Sequence, residues 1–151
     1  MALMLSLRGF DPSYGKNCYF SENSSIIGDV VMGDDCTVWF NAVIRGDVNS
    51  IRIGNKVNIQ DGAILHTTYK KSIITIGDNV SIGHNVIIHG ATIHSNVLVG
   101  MGAIIMDHAV IGENSIIWST EGLPSGIYFA KLKLNNSSDN AILKLVLGSN
   151  E

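Results

Sequence analysis

The sequence predicts an all-β fold, a parallel β-helix wound from six-residue units. Three observations predict it. Aliphatic residues open units at a six-residue spacing: Met32, Val38 and Ile44, then Ile53, Ile59 and Leu65, then Ile76, Ile82 and Ile88, then Ile93, Val99, Ile105, Ile111 and Ile117. Four residues after most openers stands something small or β-branched, as at Cys36, Ala42, Val48, Val57, Ala63, Val80, Val86, Thr92, Val97 and Ala103. Between them lie Gly, Asp, Asn and Glu, which suit tight turns, and Gly recurs after an aliphatic in "IGDV", "IGNK", "IGDN", "IGHN" and "IGEN".

An amphipathic helix does not produce this period, because six steps of 100° do not return to the same face. A Gly-rich β-sandwich has no reason to keep a six-residue frame. Three flat faces folded into a triangular coil do explain it. The opener fills the interior, the small residue sits near a corner, and coils stack at about 4.8 Å.

The elements follow in order within a single domain, 1–151. Residues 1–25 precede the frame and are expected to form an arm that covers the first coil, since terminal repeats of a solenoid need caps. Residues 26–120 carry the repeats. The frame has three irregular units. Ile44 to Ile53 is three residues longer around "GDVNS", Leu65 to Ile76 is five longer through "TTYKKSIIT", and Ile88 to Ile93 is one shorter. Insertions in repeat arrays map to loops on one face, often the functional one, and both long insertions flank His66. In 121–151, "EGLPSG" is a turn-rich exit and "IYFAKLKL" reads as a strand. A short C-terminal helix is expected in "NNSSDNAILKLVLGSNE", capped at Ser138 or Asp139 and stopped at Gly148.

Composition narrows the function. Of 151 residues, 46% are hydrophobic and 15% charged, which leaves little surface for plain solvation and points to burial against another copy. A net charge of −3 argues against a nucleic-acid partner. No apolar run reaches transmembrane length, so no membrane partner is expected. "MALMLSLRGF" is too short and too weakly flanked for a secretory signal. Cys18 and Cys36 make no disulfide framework, so a cytoplasmic, reducing location is expected.

Stacking the faces brings histidines together. Met32, Ile53, Ile76, Ile93 and Ile111 open the first face; Val38, Ile59, Ile82, Val99 and Ile117 the second; Ile44, Leu65, Ile88 and Ile105 the third. The residue after each third-face opener gives a column of Arg45, His66, His89 and Met106. His66 and His89 are thus one strand spacing apart, close enough for two imidazoles to reach one ion. His84 lies five residues before His89, on the second face above Asp61, and points around a corner. A second copy packed side by side in a closed three-fold ring brings its second face to this third face, and three histidines then converge. Three histidines with an open position is the catalytic pattern for zinc. His94 and His108 fall outside the cluster and read as surface residues.

"VWFNAVIRGD", "IGNKVNIQDGAILH" and "IGHNVIIHGATI" closely resemble the γ-class carbonic anhydrases and their bacterial carbonic-anhydrase-like relatives, from about Ile26 to Ile117. The resemblance implies a left-handed β-helix, a homotrimer, and a metal at each interface. Zn2+ is the expected metal, and Fe2+ or Co2+ also suits imidazole ligands. His66 and His89 would be ligands from one subunit and His84 from its neighbour. Arg45 and Asp47 would sit by the site, Asp61 would pair with Arg45 across the interface, and Gln60 would hydrogen-bond near the metal-bound water. Arg45 can grip a carboxylate-like anion such as bicarbonate with two parallel hydrogen bonds. The implied reaction is reversible hydration of carbon dioxide to bicarbonate by a metal-bound hydroxide.

The chain departs from the archetypal pattern at three places. Val48 stands where those members carry Glu. The loop Thr67 to Thr75 holds Lys70 and Lys71 and no carboxylate where they carry an acidic proton shuttle. The frame stops after Ile117, with Trp118 at a place usually given to Gly and Glu121 at a small-residue place. Proton transfer typically contributes a factor of about 10²–10⁴, so weak or lost turnover is one expectation. Two other function classes compete: an acyl-CoA transferase or thioesterase on the same repeat, and a non-catalytic metal-binding trimer. A transferase of this kind typically uses one catalytic histidine and an extended cofactor loop, whereas this chain offers three clustered histidines and a nine-residue excursion.

Overall fold

A computed structural model describes residues 1–117 in full, and beyond them the backbone of strands Gly126–Lys133 and Asn140–Leu147. Residues 1–117 form an all-β parallel solenoid of hexapeptide repeats. The expected columns are its strand registers. On the first face Met32, Ile53, Ile76, Ile93 and Ile111 are successive partners. On the second they are Val38, Ile59, Ile82, Val99 and Ile117. On the third they are Ile44, Leu65, Ile88 and Ile105. The long strands Ser25–Met32 and Val43–Ile53 run round a corner and join the third face to the first.

The interior is filled by pairs of side chains two residues apart, as strand alternation requires. Cys36 with Val38, Ala42 with Ile44, Val57 with Ile59, Ala63 with Leu65 and Val86 with Ile88 are all buried. The irregular units correct two expected corner positions. Ile51 and Ala91 are buried, whereas Val48 and Thr92 stay partly exposed. The buried partner is always the residue two before the next opener, so counting forward from the last opener fails across an insertion or deletion.

Corners are turned by polar residues with left-handed backbone. Asp35, Asn41, Lys56, Asn79, Asn85 and Asn96 have φ between +55° and +59°, a region that Asn and Asp tolerate best among residues with a side chain. Their side chains form ladders between coils: Asn17 donates to Asp35 (3.1 Å) and Asn79 to Asn96 (2.9 Å). Glycine is required where coils approach most closely. A Cβ on Gly33 would lie 2.8 Å from the Gly54 backbone, and one on Gly54 would lie 2.8 Å from Gly77.

Residues 1–25 are more than the expected arm. Leu3–Leu5, Ser13–Tyr14 and Tyr19–Phe20 pair in parallel with the next coil, with Met4 against Ile26, Tyr14 against Met32 and Phe20 against Val38. They continue the three columns by one coil, with looser sequence.

Residues 120–151 form a second compact unit. Gly126–Lys133 is the expected strand, but the expected C-terminal helix is not formed. Asn140–Leu147 is a strand, paired antiparallel along its whole length with Gly126–Lys133. The pairing gives every residue of both segments a partner, whereas a ten-residue helix has too few internal hydrogen bonds to offset its nucleation cost. The remaining residues of 118–151, Ser138, Asp139 and Gly148 among them, lie outside the described residues. Among the described residues, no helix is long and apolar enough to cross a membrane.

Candidate metal centre

The third face places Arg45, His66 and His89 as register neighbours on three successive coils. Their aliphatic neighbours Ile44, Leu65 and Ile88 point inward and are fully buried, so alternation directs all three polar side chains outward from a rigid wall. His66 Nδ1 and His89 Nε2 face each other at 3.1 Å.

The outer nitrogen of each ring meets a carboxylate. His66 Nε2–H donates to Asp47 Oδ1 (3.0 Å) and His89 Nδ1–H donates to Asp107 Oδ1 (3.1 Å). An ionised carboxylate only accepts, so both outer nitrogens carry protons. Where both rings are neutral, these bonds leave the two inner nitrogens as lone pairs facing one another. A proton or a metal ion between them relieves the repulsion of such a pair. Two nitrogens bound to one tetrahedral zinc ion, each at about 2.0–2.1 Å, would be separated by about 3.3 Å. The observed gap is within a few tenths of that. These two nitrogens therefore fit as part of a metal's donor set, and carboxylates on the outer nitrogens are how metal-binding histidines are usually oriented.

Local charge keeps these groups in the required states. Burial raises the Asp47 carboxyl, but the hydrogen bond and charge of Arg45, with the hydrogen bond from His66, outweigh it and hold it below the usual carboxylate range. Arg45 pairs directly with Asp47. Burial, and then the positive charge of Arg45, hold His66 below the ordinary imidazole value against the pull of Asp47. His66 is accordingly neutral at pH 7. Hydrogen bonds from Ser72 and Thr68 bring Asp107 down to about 2.

His84 stands apart, around the corner as expected. Its Nδ1–H donates to Asp61 Oδ2 (2.9 Å), which leaves Nε2 free, and both side chains are nearly half exposed. With Gln60, Thr37, Trp39 and Asn58 they line a shallow depression of about 530 Å³. Among the described residues of one chain, no three His, Cys, Asp or Glu side chains gather round a common ion position. Within the chain Arg45 pairs with Asp47 and Asp61 with His84; no Arg45–Asp61 contact forms inside one subunit. His94 and His108 are exposed.

Asp107, Thr68 and Ser72 were not legible as site residues. Asp107 follows Met106, at which the histidine column ends, and it acts on His89 from one place further along the next coil.

A family model, Bacterial transferase hexapeptide (six repeats), matches residues 90–120. A crystal structure of a hexapeptide transferase family protein from Anaplasma phagocytophilum superposes with a TM-score of 0.66 at 34% identity, covering 79% of this chain and 76% of that one. The chain belongs to the hexapeptide-repeat family. Its relatives within that family include proteins named carbonic anhydrase. It is 47% identical over 106 residues to a carbonic anhydrase of Geobacillus kaustophilus, covering 70% of this chain and 58% of the relative. It is 45% identical over 106 residues to protein YrdA of Escherichia coli, covering 66% and 58%. The chain thus spans less than two thirds of the length of the Geobacillus and Escherichia relatives.

Proposed function

We propose that this protein is a metal-dependent carbonic-anhydrase-like enzyme that works as a homotrimer and interconverts carbon dioxide and bicarbonate. One observation carries the proposal: the inner nitrogens of two imidazoles face each other at 3.1 Å, and the outer nitrogen of each ring meets a carboxylate. Two ligands from one chain make an incomplete catalytic zinc set, which ordinarily has three. His84, with a free Nε2 and a carboxylate behind Nδ1, is the matching third donor from a second copy. A bound Zn2+, Fe2+ or Co2+ would supply the Lewis acidity that makes a water nucleophilic near neutral pH.

The chain's own groups have separate tasks. Asp47 holds the His66 ring and anchors Arg45, whose side chain is 41% exposed and keeps N–H groups free for a bicarbonate oxygen. Gln60 lies beside Asp61 and His84 and can both donate to and accept from a water. Hydration adds one water to carbon dioxide and releases one proton. No carboxylate of the 67–75 loop can take that proton, and Asp107 is occupied by three donors. The proton goes to solvent directly, and slow turnover is the expected result.

The likeness to a hexapeptide transferase family protein of Anaplasma phagocytophilum supports a second reading, acyl transfer. The loop speaks against it, since Thr68 and Ser72 are fastened back to Asp107 and leave little free chain to embrace a cofactor.

The deciding experiment measures metal per subunit and solution mass on one natively purified, anaerobically handled sample. About one metal per chain in a trimer is expected, followed by measurable carbon dioxide hydration in stopped flow. A trimer that stays metal-free after reconstitution would sink the proposal.

A further inference from the structure

Asp107 gathers three donors on one carboxylate. Oδ1 accepts from Ser72 Oγ (2.6 Å) and from His89 Nδ1–H (3.1 Å), and Oδ2 accepts from Thr68 Oγ1 (2.8 Å). Ser72 is 5% exposed. Thr68 and Ser72 close a turn at the base of the long excursion: Lys71 and Ser72 N–H donate to Thr68 O, and Thr68 N–H donates to Ser72 Oγ. The first insertion joins the same knot, because Asn49 Nδ2 donates to Ser72 O (2.9 Å).

The span of this contact is unusual for a solenoid, in which each coil ordinarily touches only its neighbours. Asp107 belongs to the coil of Ile105. The excursion leaves the coil of Leu65. The coil of Ile88 lies between them, and the carboxylate crosses it at Gly90. A Cβ there would overlap both Asp107 Oδ1 and Ser72 Oγ, and Gly90 has φ +65°. The glycine after His89 is the opening through which the carboxylate meets the loop.

We infer that Asp107 is a positioning residue that sets the tautomer of His89 and fastens the 67–75 loop to that same histidine. An ionised carboxylate beside Nδ1 holds a proton on that nitrogen. In the neutral ring Nε2 is then the lone-pair nitrogen, and it is the one that faces His66. The two hydroxyls bring the donors on Asp107 to three and hold it in place, so loop and ring order together. The consequence for metal affinity rests on the function proposed above; the tautomer and the loop tie do not.

The test uses imidazole nitrogen NMR on the metal-free full chain, wild type and Asp107→Asn, with amide exchange and a zinc titration on the same samples. Wild-type His89 is expected as the Nδ1–H form. Asp107→Asn is expected to mix the two tautomers of His89, to speed exchange of the Thr68 amide, and to weaken zinc binding about 10–100-fold. His66 should keep its tautomer. A wild-type His89 protonated on Nε2 would overturn the inference without need of any variant. An unchanged His89 tautomer in Asp107→Asn would overturn it as well. Ser72→Ala should speed Thr68 exchange while His89 stays Nδ1–H, and unchanged exchange would remove the loop tie. A locked His89 in a wild-type protein that binds no zinc would uphold the positioning role and overturn the metal reading instead.

Discussion

His66 and His89 sit on one wall with His84 around the corner, and the two settings differ in how far they are prepared. On the wall, two rings are held face to face by Asp47 and Asp107, and the carboxylates are themselves tied by Arg45, Ser72 and Thr68. At the corner, a single ring leans on a single carboxylate and both are nearly half exposed. Under the proposed function, one subunit would carry a closely tied pair of ligands on the wall and a more exposed one at the corner. The difference teaches that organisation here tracks the number of coils that contribute to a contact. Arg45, Asp47, His66, His89 and Asp107 draw on four successive coils, whereas His84 and Asp61 draw on two.

The largest break in that comparison is His84→Ala. Removing the loose ligand is expected to empty the site, with metal content near zero, while His66 and His89 keep their facing geometry. Full metal retention would show that one wall suffices. A His94→Ala control should lose nothing.

Next come the carboxylates behind the rings. Asp47→Asn is expected to lower zinc affinity about 10–100-fold by releasing the His66 tautomer. Asp61→Asn should cost several-fold less, because solvent already competes for His84. Equal losses would mean that exposure in the single chain does not predict rigidity in the assembly. Competition titration with a chromophoric chelator reads both.

Arg45→Ala separates binding of the ion from binding of the anion. Turnover or bicarbonate affinity should fall about tenfold or more, as expected for loss of a charged hydrogen bond of about 1.5–3 kcal/mol. Metal content should change much less. Unchanged kinetics would reduce Arg45 to a clamp on Asp47.

The smallest effect is the dependence on pH. His66 lies below its ordinary value when folded, so the unfolded chain takes the proton first. Its contribution to stability is complete above about pH 6.5 and is lost as pH falls through that value and below. Asp107, lowered to about 2, contributes above the ordinary carboxylate range, and that contribution is lost only as pH drops from about 4 towards 2. Denaturant midpoints of wild type, His66→Ala and Asp107→Asn across this range should show two separate steps. A single step near pH 4 would mean that His66 is not held neutral.

The columns were readable because a six-residue frame and a buried opener leave little freedom in stacking. Arg45, His66 and His89 follow from Ile44, Leu65 and Ile88 by alternation alone. Residues 1–25 were harder, since their aliphatic frame is irregular and only the pairing of Met4, Tyr14 and Phe20 reveals the extra coil. Asn140–Leu147 misled because its caps suit a helix, and a strand partner at Gly126–Lys133 outweighs local capping. Asp107 was hidden for a different reason. Its contacts skip a coil, and they depend on the missing Cβ of Gly90 rather than on any repeat position.

By itself the sequence determined the period, the three faces, the buried openers and the column that sets two histidines side by side. Those are consequences of alternation and of burial, which act residue by residue. Only the tertiary structure decided which ring nitrogen faces which partner, that Asp47 and Asp107 stand behind the two rings, and that the long excursion is fastened to Asp107, the carboxylate that meets His89. Hydrogen-bond direction depends on distances of a few tenths of an ångström between coils, and no spacing along the chain encodes them.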